Sequence, residues 1–135
     1  MGDQVSDTLR GRGIQPSPQR LAVAEYVLHT RSHPSADQVW ARVRARQPAI
    51  SRATVYNTLN LLVDRGLLSR LVLAAGRVVF DPHVGRHHHF IDEETGEIHD
   101  VPWEAVDVRR VSEIDGLEVR EFQVVMRGRR ARGSR

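Results

Sequence analysis

The chain has no cysteine, no lysine and no apolar run long enough to cross a bilayer. The first absence excludes disulfides, zinc sites built on thiolates and thiol-based redox chemistry. The second makes all 20 basic residues arginine, which codon bias in a GC-rich genome explains without any functional weight. The third absence, together with a start (Met1-Gly2-Asp3-Gln4) that lacks a signal-type apolar core, sets the expectation of a soluble cytoplasmic protein with no membrane partner. At 135 residues the chain makes one domain by length, or two small ones sharing a modest core. Two such units are each marginal alone, so a dimer is expected.

What the sequence does hold is divided unevenly. Residues 1–81 carry 11 Arg against 6 acids, residues 82–126 carry 4 Arg against 11 acids, and residues 127–135 carry 5 Arg. A basic first half attracts polyanions, and an acidic second half repels them and attracts cations.

In the first half, helical potential is weak around Val5 to Leu9, and a loose Arg-Gly-Arg-Gly segment follows that reads as a solvated arm. Ser17-Pro18 starts a helix over 18–30, which His33-Pro34 breaks. Ser35-Ala36-Asp37-Gln38 reads as a capping box, and Ala36, Val39, Trp40 and Val43 form the buried stripe of the helix behind it. Trp40 is expected as a core anchor. Ser51 starts a third helix with Val55, Leu59 and Leu62 on one face and Ala53, Tyr56, Asn57 and Asn60 on the other. Amide, small and aromatic side chains on an open face, with Arg52 near the start, suit a DNA major groove. Gly66 closes this helix, and two strands over 67–73 and 77–80 follow. Three helices and a hairpin are the order of a winged helix-turn-helix; the competing reading is a small helical domain with a polar face.

Phe80-Asp81-Pro82-His83-Val84-Gly85-Arg86-His87-His88-His89-Phe90 opens the second half. In a strand, His87 and His89 project to one side and His88 to the other, and two imidazoles on one face supply half of a typical divalent-metal site. The competing reading is a merely polar strand. A strand over 87–92, a turn at 93–96, a strand over 97–101, a helix over 103–115 and a strand over 117–126 complete the reading. His29, His83 and His99 read as surface or strand-edge residues. The tail 127–135 reads as disordered.

Pro18-Gln19-Arg20, His33-Pro34-Ser35-Ala36-Asp37, Ser51 to Leu59, Arg77 to Asp81, the triple-histidine strand and Gly96-Glu97-Ile98-His99-Asp100, in that order and spacing, resemble the ferric uptake regulator (Fur) superfamily over residues 14–128. The resemblance implies an α+β protein: a winged-helix DNA-binding domain over 1–82 and a small α/β dimerisation and metal-sensing domain over 83–135. It implies a homodimeric, metal-dependent repressor of double-stranded operator DNA, not an enzyme. Carried over position by position, the regulatory metal ligands match His33, Asp81, His87, His89 and Asp100, a set that suits Fe(II), Mn(II) or, in vitro, Zn(II). The matching DNA-contacting positions are Arg20, Ser51, Arg52, Ala53, Thr54, Tyr56 and Asn57. Asp at position 100 points to the peroxide-sensing (PerR) branch, in which Fe(II) reacts with peroxide and a ligand histidine is oxidised, here His33 or His87.

The departures are specific too. The first cysteine pair of the family's structural zinc falls on Asp92 and Thr95 and the second near Arg130, so no structural zinc is expected. A further metal site of iron-uptake regulators is degraded at Arg86 and Phe122, although His88 and either Glu104 or Asp107 remain. Two alternatives stand beside the leading one: a haem-responsive iron regulator (Irr-like) with His87 to His89 as axial-ligand candidates, and a non-haem iron oxygenase using two histidines and a carboxylate.

Overall fold

A computed structural model describes residues 2–132. The chain divides into two compact units, one running to Val84 and the other starting at Gly85.

The first unit begins with α1 (Gly2–Gly11), a full helix where the sequence gives only weak potential. Val5 and Leu9 bury in the core at 4% and 0% exposure, so tertiary packing supplies what propensity lacks. The segment read as a loose arm is tied down by a reciprocal clasp. Arg12 donates to the Arg65 carbonyl at 2.7 Å, and Arg65 donates to the carbonyls of Arg12 and Gly13 at 2.7 and 3.0 Å. Gly13, with φ +72°, makes the turn that allows it.

Helix α2 (Pro18–Val27) starts as read, with the Ser17 hydroxyl accepting from the Arg20 amide. It stops at Val27, short of residue 30, because the chain turns toward Pro34 through His33, whose φ is +51°. Helix α3 (Ala36–Val43) carries both bonds of the capping box, Gln38 amide to Ser35 hydroxyl and Ser35 amide to Gln38 side chain. Helix α4 (Arg52–Asp64) is capped by Ser51, buries Val55, Thr58, Leu59 and Leu62, and ends at Gly66 with φ +76°. The wing is the antiparallel pair β1 (Ser69–Val72), shorter than the expected strand over 67–73, and β2 (Val78–Asp81), shifted by one residue from the expected 77–80. Trp40 is only partly buried, packed against the core and not at its centre.

In the second unit, β3 (His87–Asp92) lies between β4 (Ile98–Pro102), antiparallel to it, and β5 (Val125–Gly128), parallel to it. The expected helix over 103–115 does not form. Two single 3-10 turns, Trp103–Ala105 and Val111–Glu113, stand in its place, with Arg110 at φ +65° before the second. The reason is legible in retrospect: Val106, Val108 and Val111 are β-branched and make no continuous apolar stripe. The expected strand over 117–126 shrinks to β5, which leaves Leu117, Val119 and Phe122 exposed. Residues 127–128 of the tail belong to β5, and its last three residues lie outside those described. Among the described residues, no helix is long and apolar enough to cross a membrane.

Candidate DNA-reading face and metal-ligand clusters

Helix α4 presents its polar residues as its periodicity requires. Val55 and Leu59 point into the core, and Ser51, Arg52, Ala53, Asn57 and Asn60 are exposed, with Tyr56 at 46%. Thr54 is half-buried and its hydroxyl accepts from the Ser51 hydroxyl at 2.9 Å, which fixes the first turn. Arg20, on α2, is half-buried and donates to the Gln15 carbonyl at 3.0 Å; no acid pairs with it among the described residues. The sequence reading missed the neighbours of Arg52. Its guanidinium stands 4.3 Å over the Trp40 ring and 3.5 Å from Asp37. Such contacts join residues far apart in sequence and leave no periodic signal.

The first unit also holds His33 and Asp81, both buried. His33 Nδ1–H donates to the Arg31 carbonyl at 3.1 Å, which directs Nε2 at Asp81 Oδ2, 3.1 Å away. The other carboxylate oxygen of Asp81 accepts the His83 amide at 2.9 Å. A neutral ring with its proton on Nδ1 turns a lone pair toward the carboxylate, an arrangement that wants a proton or a metal cation between the two. His33 holds this geometry at a backbone angle that L-residues rarely adopt, with a cost of roughly 1 kcal/mol.

In the second unit, alternation along β3 sends His87 and His89 to one face. Their Nε2 atoms lie 3.1 Å apart, and Asp100 Oδ1, across the strand pair at the register of His89, stands 3.6 and 3.5 Å from them. His87 Nδ1–H donates to the Gly85 carbonyl at 2.6 Å, again fixing Nε2 as the inward lone pair. Backbone carbonyls that anchor Nδ1 of histidine are the usual outer partners of imidazole metal ligands. On this chemistry, imidazole Nε2 and carboxylate oxygens brought together and orientationally fixed, the residues of each cluster fit a divalent metal.

His88 faces the other way, as expected, and does something else. It is fully buried, accepts the Val124 amide on Nδ1 at 2.9 Å and stacks on Trp103 with centroids 4.5 Å apart at 12°. His88 is thereby a packing element joining β3 to β5.

The structural zinc implied by the resemblance does not fit. At its first position Asp92, 1% exposed, accepts the amides of Glu94 and Thr95 at 2.9 and 3.3 Å, while the Gly96 amide bonds the Asp92 carbonyl at 2.7 Å. Burial works against its charge, but the Glu94 and Thr95 amides, the Thr95 side chain and Arg130 together hold the carboxyl below its ordinary pKa. The knuckle is closed by a carboxylate and backbone amides in place of a metal.

The sequence profile of the Ferric uptake regulator family matches residues 11–127. The chain belongs to the Ferric uptake regulator family. It is 34% identical over 101 residues to the peroxide operon regulator of Bacillus subtilis, covering 75% of this chain and 70% of that one. It is likewise 34% identical over 100 residues to the peroxide-responsive repressor PerR of Staphylococcus epidermidis, covering 74% and 67%. Among solved structures, the Vibrio cholerae ferric uptake regulator superposes with a TM-score of 0.71 over 92% of this chain and 98% of that one, at 22% identity. The fold is thus the winged helix-turn-helix and small α/β domain of this family. Both of these curated relatives are named as peroxide regulators, in keeping with the branch to which Asp100 pointed. They are regulators, not oxygenases, and nothing in the histidine strand favours haem: His88, one of its axial candidates, is enclosed between Trp103 and the chain of β5.

Proposed function

We propose that this protein is a metal-dependent, DNA-binding transcriptional repressor that responds to peroxide. His33, Asp81, His87, His89 and Asp100 serve as the ligands of one regulatory metal, Fe(II) or Mn(II). The observation that carries the reading is the double convergence of oriented imidazole nitrogens and carboxylate oxygens, His33 with Asp81 and His87 with His89 and Asp100. Two of the five come from the first unit and three from the second, so a shared metal favours one relative orientation of the two. Only a metal that binds that orientation better can shift the population toward it.

In the DNA-competent orientation, α4 enters the major groove. Asn57, Ala53 and the Thr54 methyl meet base edges and Arg20, Ser51, Arg52 and Tyr56 meet phosphates. Two copies act together, because the second unit buries little apolar surface alone and leaves Ile114, Leu117, Val119 and Phe122 open to a partner.

Iron(II), when bound, would catalyse the oxidation of His33 or His87 by peroxide. One peroxide oxygen would be inserted at the carbon between the ring nitrogens, the other would leave as water, and the two electrons that reduce the peroxide would come from the imidazole. Each ring turns Nε2 toward the ligand cluster while Nδ1–H is held by a backbone carbonyl, so both nitrogens that flank the ring carbon between them are fixed in direction. An imidazole oxidised at that carbon carries N–H on both nitrogens and has no lone pair left to give a metal. The oxidised ring therefore releases its ligand role, and the orientation it supported is lost.

Peptide mass spectrometry after exposure to Fe(II) and peroxide tests this. One added oxygen on the peptide containing His33 or His87 is expected, and none with Mn(II). Oxygen found only on methionine would overturn the peroxide arm and leave an iron or manganese sensor.

A further inference from the structure

Trp40 sits at the junction of α3 and α4 and is tied to both. Its Nε1–H donates to the Ile50 carbonyl at 3.0 Å, next to the Ser51 cap of α4. Two guanidinium groups lie over its ring, Arg44 at 4.4 Å and Arg52 at 4.3 Å from Cζ to centroid. Arg52 also has its Nε 3.5 Å from Asp37 Oδ1, and this pair is open to water, with side chains 62% and 66% exposed. Asp37 is the one acid in the first turn of α3.

A guanidinium over an indole face is attracted by the ring quadrupole and loses rotamer freedom, so Trp40 holds Arg52 extended along the face of α4. A carboxylate beside it offers the same oxygen chemistry that a DNA phosphate offers. An exposed ion pair at this distance is weak and exchangeable. We propose that Asp37 is an internal stand-in for DNA phosphate. Arg52 is kept on the Trp40 platform by Asp37 in the free protein and exchanges that carboxylate for a phosphate on binding, so Asp37 limits DNA affinity. Trp40 and Asp37 are positioning residues, acting through Arg52. The proposal rests on the reading of α4 as the DNA-reading helix.

Full-length protein with Mn(II) is titrated against a mixed-sequence duplex and a duplex selected by the wild-type protein from a random-core library. Asp37→Asn is expected to tighten binding by about fivefold, the size of one unit-charge contact near 4 Å in water. Arg52→Ala weakens binding and lowers the slope of log affinity against log salt by about one. The deciding quantity is the double variant. If Asp37 works through Arg52, Asp37→Asn has no effect in the Arg52→Ala background; an equal tightening there makes Asp37 a general surface charge and overturns the proposal. Unchanged affinity for Asp37→Asn beside a weakened Arg52→Ala also overturns it, while leaving the DNA-reading helix intact. Failure of the wild type to bind either duplex removes the underlying reading, and this proposal with it. Trp40→Phe, which keeps a ring face, should retain most of the affinity that Trp40→Leu loses; equal losses would deny the platform its role.

Discussion

The two units of this chain solve the same stability problem by different means. Among the described residues, every buried apolar side chain except Ile98 lies in the first unit, where Leu9, Val23, Val27, Val39, Val55, Leu59 and Leu62 pack at 0–1% exposure. The second unit buries His87, His88, His89 and Asp92 instead. An apolar core stabilises by area removed from water and needs no partner beyond itself. Buried imidazoles and a carboxylate stabilise only while their hydrogen bonds, stacking partners or cations are in place. Apart from the buried His33–Asp81 pair, the first unit therefore holds its structure by apolar packing alone, whereas the second depends on the partners of its buried polar groups.

That contrast can be broken most forcefully in the first unit. Leu59→Ala should destabilise it by about 2–5 kcal/mol, the range for a buried leucine that leaves a cavity. Circular dichroism melting would show the loss, whether or not metal is present; a metal-rescued transition would mean that the first unit is not self-sufficient. Next in size is His89→Ala. Manganese affinity by calorimetry should fall by at least roughly two orders of magnitude, the upper end of the cost of losing an outer-shell partner, while the melting of the first unit stays in place.

Leu117, 63% exposed, tests the need of the second unit for a partner. Leu117→Arg should raise the dimer dissociation constant by roughly tenfold, as loss of one buried apolar side chain implies, and sedimentation equilibrium would read it. An unchanged constant would move the interface elsewhere.

The smallest expected effect concerns acid. Because the folded-state pKa of Asp92 is lowered, its contribution is fully present above the unfolded value of about 3.9 and is lost as pH falls through it toward the folded value. Asp92→Asn should therefore melt earlier than wild type at neutral pH, with the difference shrinking below about pH 4. Chelator should not reproduce that loss, since the knuckle is closed by amides; a chelator-sensitive knuckle would contradict it.

The first unit was largely legible because its signals are local. Ser17, Ser35 and Ser51 cap the helices they announce, Gly66 ends α4, and the face of α4 follows from spacing alone. The histidine strand was legible for the same reason, since alternation alone separates His87 and His89 from His88. What stayed hidden depends on contacts between distant residues. The Arg12–Arg65 clasp converts an apparent arm into packed structure, Trp103 turns His88 into a stacking element, and Trp40 gathers Arg44 and Arg52. The expected helix over 103–115 failed because helix-compatible spacing was too sparse to outweigh β-branched residues and a chain that the sheet does not cover. The proposed metal ligands fall between these cases: His33 with Asp81, and His87 with His89 and Asp100, are visible in the geometry, but the five-residue set came from the family pattern.

The central claim, that metal occupancy of His33, Asp81, His87, His89 and Asp100 governs DNA binding, is tested most directly by one titration. The full-length protein is measured by fluorescence anisotropy against the duplex it selects, with Mn(II) and again after chelation, at fixed salt. At least a tenfold tighter dissociation constant with metal is predicted, about 1.4 kcal/mol of coupling between the sites. Equal affinity in the two states would contradict it.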